Sequence, residues 1–224
     1  MINYKRLFSI SKDIRIRCLN LNFISKTSHL GGSLSSVDIL VGIYFNYFKF
    51  YKKNTTDKFI LSKGHGCLAL YCVLEKKEFF KKKILDSYGK NGSIFMAHVS
   101  HKVPGVEFST GSLGHGVSFA AGKALYFKRK NRKNKVVCLI SDGELNEGST
   151  WEGILFASHH KLSNLTIIVD NNKWQSFGKS IDVINLHPLK KTFQGFDLTI
   201  SDINGHNFSE ICKSLNKKTN KPKI

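Results

Sequence analysis

Two oxygen-bearing side chains, Asp142 and Asn172, stand thirty positions apart at matching places in the chain. Each lies just past a short apolar run, Val136–Ile140 before the aspartate and Leu165–Val169 before the asparagine. An anionic and a neutral oxygen are hard donors suited to Mg²⁺ or Ca²⁺, and Mg²⁺ commonly takes one or two carboxylates together with phosphate oxygens. Gly143, next to the aspartate, lets an anion approach the backbone N–H. Taken singly, Asp-Gly and Asn-Asn are ordinary turn formers. As a pair at corresponding ends of one structural unit, they suit a divalent cation bridging a diphosphate. A second kind of chemistry comes from histidines. His65 sits between Gly64 and Gly66 at the start of an apolar stretch, where close ligand approach and a helix N-terminus favour an anion. His29 stands in a Gly-rich break. Glu147, five positions after Asp142, is an acid in the same loop, a place that a helix N-terminus also favours.

The elements that must position these residues follow from periodicity. Lys135 to Trp174 reads as strand, helix, strand: two β-branched apolar runs flank a helix that Ser149 or Thr150 is expected to cap, with Glu152 in its first turn. Parallel neighbours joined by a helical crossover put both strand ends on one edge of the sheet, the edge where open α/β sheets bind ligands. Upstream, Met1–Ser28 is expected to be helical. Gly31-Gly32 breaks the chain, and Ser35 or Ser36 caps a helix whose Val37–Phe48 packs inward. Phe59–Leu61 reads as a strand, Gly64–Gly66 as a loop, and Cys67 opens a helix. Lys76–Lys90 reads as a charged, helical surface segment. GSLGHG at 111–116 is not a Walker loop, because no Gly-Lys-Ser/Thr follows; it feeds a helix over Val117–Phe127. Phe196–Ile203 is predicted to be a strand and Asn207–Leu215 the last helix. The sum is an α/β fold with a mostly parallel sheet and helices on both faces.

The chain has 224 residues, 41% hydrophobic and 23% charged, enough for one α/β domain with a sizeable core. The formal net charge is +19. A basic balance is the electrostatic footprint of nucleic-acid binding, yet the lysines are scattered and no nucleic-acid motif accompanies them. They read as solvated faces that also attract anionic substrates. No apolar run approaches a membrane span. The five cysteines are scattered without a CxxC pair, which suits free thiols in a reducing cytoplasm.

SDGELNEG followed by VDNNKW resembles the thiamine diphosphate motif. With His29 in SHLGG, His65 in SKGHG, and the 111–116 loop, nearly the whole chain resembles the N-terminal part of transketolase, in the split form made as two subunits. The resemblance implies a single thiamine diphosphate-binding domain over 1–224. It implies that Asp142, Asn172 and the backbone carbonyl of Trp174 hold Mg²⁺. His65, Gly111, Ser112, Leu113, Gly143, Glu147 and Asn172 would bind thiamine diphosphate, with Glu147 reaching across a subunit interface. His29, His65 and His98 would serve proton transfer and substrate hydroxyls, His101 being the neighbouring alternative to His98. The reaction implied is transfer of a two-carbon unit from a ketose phosphate to an aldose phosphate. The partner implied is the C-terminal, pyrimidine-binding subunit, in a cytoplasmic heterotetramer. Two departures stand out: Leu30 replaces the family's proline after the histidine, and the sequence stops at KPKI, before a further family histidine. Two alternatives follow, a thiamine-dependent 2-oxo acid or acetoin decarboxylase, which would not need three substrate-side histidines, and a decayed or regulatory subunit.

Overall fold

The computed structural model describes residues 2–50 and 55–224. In chain order, the helices and strands of the first half are α1 (Tyr4–Ser25), α2 (Leu30–Leu34), α3 (Val37–Gly42), β1 (Lys58–Leu61), α4 (Cys67–Lys76) and α5 (Lys82–Leu85). Then come α6 (Gly116–Arg129), β2 (Val136–Ser141), α7 (Gly148–His159), β3 (Leu165–Asp170), β4 (Trp174–Gln175), β5 (Gly178–Lys179), α8 (Ser180–Val183), α9 (Leu189–Phe193) and α10 (Phe208–Asn216). Two compact units result: 1–56, 64–111 and 203–216 form the first, and 57–63, 112–202 and 217–224 the second.

The first unit is helical. Asn3 caps α1, its side chain accepting from Arg6 N–H at 2.9 Å, and Lys26 ends the helix in the left-handed region. Leu7, Ile10, Ile14, Cys18 and Leu21 recur at helical spacing and are buried; such burial stabilises by roughly 1.5–3 kcal/mol for each large apolar side chain. α4 is buried along Cys67–Leu74. Buried Asp38 on α3 ties the unit together. It accepts from Arg15 Nη1 and Nη2 at 2.9 and 2.6 Å, from Ser11, and from His206 Nδ1 at 2.7 Å, just before α10.

Three expectations in this unit are corrected. Gly31-Gly32 lies inside α2 rather than in a break, because the Ser35 and Ser36 hydroxyls both donate to the Gly32 carbonyl and hold the turn helical. Ser36 stands at the N-cap of α3 as expected, but its side chain makes no capping hydrogen bond there. Lys76 ends α4, and from there to Lys90 the chain is helical only over Lys82–Leu85. Glu78 turns through positive φ, and Leu85 and Tyr88 go inward while the Phe80 and Phe95 rings pack at 4.9 Å.

The second unit contains a parallel sheet in the order β1-β2-β3. Val136–Ile140 is fully buried, as a near-continuous apolar run in a parallel sheet requires. Ser141 pairs with Asp170, so the residues that follow β2 and β3 leave the sheet at one edge. β4 and β5 form a small antiparallel hairpin. The expected strand at Phe196–Ile203 is limited to a short pairing. Thr199 and Ser201 donate to Pro222 and Ile224 at 2.9 Å each, and Lys223 in turn pairs with β3 through Leu165 and Ile167. The helix α7 starts at Gly148 without a side-chain cap; the Ser149 and Thr150 hydroxyls donate instead to the carbonyls of Gly114 and Glu144.

Candidate functional site

In the first unit, the expected histidines converge. His29 sits at the N-cap of α2 with φ 69°, and its ring centroid lies 5.3 Å from His65 and 5.6 Å from His98. His65 comes from the single turn Gly64–Gly66 that leads into α4. Burial lowers the pKa of His29, and the neighbouring His98 lowers it further, so a neutral imidazole at neutral pH can accept a proton or a hydroxyl hydrogen bond. A side chain at Gly111 would meet the His98 ring at 3.7 Å. His101 is turned elsewhere: its Nδ1 and its backbone N–H both engage Ser109 Oγ, at 2.7 and 2.8 Å.

In the second unit, Asp142 is 4% exposed. Its Oδ1 accepts from Gly143 N–H at 3.0 Å, and its Oδ2 accepts from Lys173 N–H at 2.9 Å and Ser180 Oγ at 2.6 Å. A mere turn former bonds locally; this carboxylate reaches residues 31 and 38 positions away. Gly143 N–H is thus taken by Asp142, and a side chain at Gly143 would strike the Gln175 carboxamide at 2.9 Å. Asn172 Oδ1 accepts from Trp174 N–H at 2.9 Å, a local turn bond. Trp174 is exposed. Glu147 is exposed at the N-cap of α7. Ser112 is exposed and Leu113 half-buried, in the loop that feeds α6.

These residues fit a hard divalent cation. No cationic side chain of the described residues pairs with buried Asp142, and an ionised carboxylate offers about four lone-pair sites, of which three are used here. The Asn172 carbonyl oxygen keeps a second lone pair. Nearby, Gln175 Nε2 is a buried donor with no partner among the described residues, which suits an anionic oxygen beside the cation and not the cation itself. Uncompensated buried charge is costly unless paired or bound to a metal, and all-oxygen donors suit Mg²⁺.

Sequence reasoning missed several supports. Lys63, fully buried just after β1, pairs with Asp170 at the end of β3. A signal existed, since FILSK and TIIVD are apolar runs that each end on a charge. Glu144 lay within the motif, two residues past Asp142, and is fully buried. Trp151, on α7, donates from Nε1 to Leu145 O at 2.7 Å and stacks near Phe193 and Phe196, which braces the 143–146 turn.

Comparison with known proteins identifies the family. Residues 10–224 match the family model for the thiamine diphosphate-binding domain of transketolase. The chain is 37% identical to an apulose-4-phosphate transketolase subunit of Actinobacillus succinogenes, over 96% of this chain and 80% of that protein. It is 34% identical to the protein of the same name from Phocaeicola vulgatus, over 92% of this chain and 74% of that one. The crystal structure of a transketolase from Campylobacter jejuni superposes with a TM-score of 0.90 at 28% identity, covering 99% of this chain. The chain spans only 37% of that longer protein. With the Asp-Gly…Asn motif at one sheet edge, the clustered histidines and a family match over nearly its whole length, the chain belongs to the transketolase family, as its thiamine diphosphate-binding domain.

Proposed function

We propose that this chain is the thiamine diphosphate- and Mg²⁺-binding subunit of a two-subunit transketolase, active only with a pyrimidine-binding partner subunit. The observation that carries the reading is the histidine cluster. A decarboxylase of 2-oxo acids has little use for three convergent imidazoles, whereas a polyhydroxylated sugar phosphate offers each of them a hydroxyl. Two relatives that match most of this chain are each named as one subunit of a transketolase, which supports a division of labour between two chains. Asp142, Asn172 and the carbonyl of Trp174 would hold Mg²⁺. His65, Gly111, Ser112, Leu113, Gly143, Glu147 and Asn172 would hold the cofactor. When bound, the cofactor supplies the electron sink for cleaving and re-forming a carbon–carbon bond next to a carbonyl. The chain's own residues place it, keep its diphosphate charge compensated, and move protons. His29, with its lowered pKa, is suited to accept a proton from a substrate hydroxyl, while His65 and His98 orient the hydroxyls beside it. The excess of lysine attracts anionic sugar phosphates rather than a specific nucleic acid. No described helix is long and apolar enough to cross a membrane, and the five free cysteines suit the cytoplasm. The assembly is a heterotetramer of two copies of each chain. The test is a coupled assay of two-carbon transfer from a ketose phosphate, run with the chain alone and with its partner. Turnover is expected only with both; robust turnover by this chain alone, or none with the partner while cofactor is bound, contradicts the reading.

A further inference from the structure

Glu144 is fully buried on the short turn Gly143–Asn146, immediately after Asp142-Gly143. Its Oε1 accepts from Gly114 N–H at 2.9 Å and from the Ser62 hydroxyl. Ser62 Oγ in turn accepts from Gly116 N–H at 2.9 Å. One carboxyl thus anchors two backbone amides of the loop that carries Ser112 and Leu113. The loop fits this anchor closely. Gly114 has φ +88°, and a side chain there would strike Ser149 Oγ and the Glu147 side chain. A side chain at Gly116 would collide with Ser62. Ser149 Oγ also donates to Gly114 O at 2.9 Å, so Gly114 is held on both its N–H and its C=O.

The second oxygen sets Glu144 apart from a simple packing residue. Oε2 is buried with no hydrogen-bond partner among the described residues. An acceptor left without a donor in a buried site is costly, so the anchoring falls to Oε1 alone. Oε1 accepts from both donors, the Ser62 hydroxyl and Gly114 N–H.

We propose that Glu144 is a positioning residue: its Oε1 sets the backbone of the Ser112–Gly116 loop through Gly114 N–H and, by way of Ser62, Gly116 N–H, and so governs cofactor affinity without touching the cofactor. The proposal rests on the reading of this loop as cofactor-binding. The anchoring bonds all run to one acceptor oxygen, which an amide also supplies.

The test uses Glu144→Ala, Glu144→Gln and Ser62→Ala, with two readouts. The first is backbone amide exchange at Gly114 and Gly116 in the full chain. The second is thiamine diphosphate affinity, in Mg²⁺, of the assembled two-subunit complex. Glu144→Ala is expected to speed exchange at both glycines by at least about tenfold, the worth of a strong hydrogen bond, with the amides of β1–β3 unchanged, and to weaken the cofactor by a similar factor. Glu144→Gln should stay within about threefold of wild type in both, since its carboxamide keeps the acceptor. Ser62→Ala should release Gly116 more than Gly114, which keeps the proposal testable if Glu144→Ala does not fold. Unchanged exchange in Glu144→Ala, faster exchange with undiminished affinity, or a Glu144→Gln variant as impaired as the alanine overturns it. If the wild-type complex fails to bind thiamine diphosphate at all, the functional reading falls, while the exchange readout still decides whether Glu144 holds the loop.

Discussion

The buried pair of Lys63 and Asp170 supplies a prediction with a worked magnitude. β2 lies between β1 and β3, so an ammonium following β1 that meets a carboxylate ending β3 clamps the two outer strands beside the edge from which Asp142 emerges. Lys63 is 0% exposed, and the Asp170 side chain 8%. Lys63→Met keeps the aliphatic stem and removes the charge, leaving Asp170 short of its ion-pair partner. Breaking a buried pair from one side costs about 3–5 kcal/mol, and the low end applies here because Asp170 makes other interactions. For 224 residues, an unfolding entropy of about 2.1 cal/mol/K per residue turns about 3 kcal/mol into a Tm lowered by roughly 6 °C. Circular dichroism melts of the full chain at neutral pH measure this. A double-mutant cycle with Asp170→Asn should return a coupling of at least about 1 kcal/mol. A Tm lowered by less than about 2 °C, or strictly additive single variants, would refute the clamp.

Two pH predictions follow from the titrating groups. The His29 ring should titrate below the ordinary imidazole range in an NMR pH series, and His98→Asn should raise its midpoint only part of the way, because burial is the larger cause; a midpoint at or above the ordinary value would contradict the cluster geometry. For Asp38, burial pushes the carboxyl up, but hydrogen bonds from Arg15, Ser11 and His206 outweigh it and hold the pKa below the usual carboxylate range. Its folded pKa is depressed, so its stabilisation is present above the unfolded pKa and lost as pH falls through the folded one. Chemical unfolding from neutral pH down through the carboxylate range should therefore show a shallower acid decline in Asp38→Asn than in wild type.

How much of this was legible in the sequence depended on how local the signal was. β1, β2 and β3 announce themselves because a buried parallel strand must be an apolar, β-branched run. Asp142 and Asn172 stand out because the chain puts hydrogen-bonding residues where such runs end. Hydroxyl side chains were harder to read. Ser36, Ser149 and Thr150 have cap chemistry, yet their oxygens donate to the carbonyls of Gly32, Gly114 and Glu144, partners that only the folded chain supplies. Spacing favoured His98 with His101 as its near alternative; Ser109, eight residues on from His101, engages the His101 ring and backbone N–H. Lys76–Lys90 misled because its charge suggested a solvated helix, while aromatic packing by Phe80 and Tyr88 breaks it into turns. Glu144 carried no distinguishing signal at all: an acid in an acidic motif gives no hint that one of its oxygens will be buried against Ser62 and Gly114.

The central claim is that Asp142 would hold Mg²⁺ for the binding of thiamine diphosphate. Titration calorimetry on the assembled complex tests it most directly, with thiamine diphosphate added in the presence of Mg²⁺ or EDTA, for wild type and for Asp142→Ala. Loss of an outer-shell partner alone costs about 10–100-fold in metal affinity, so loss of a ligand itself should cost at least that much. Binding that EDTA abolishes and Asp142→Ala weakens by that order is expected; binding undiminished in Asp142→Ala, or indifferent to EDTA, would contradict the claim.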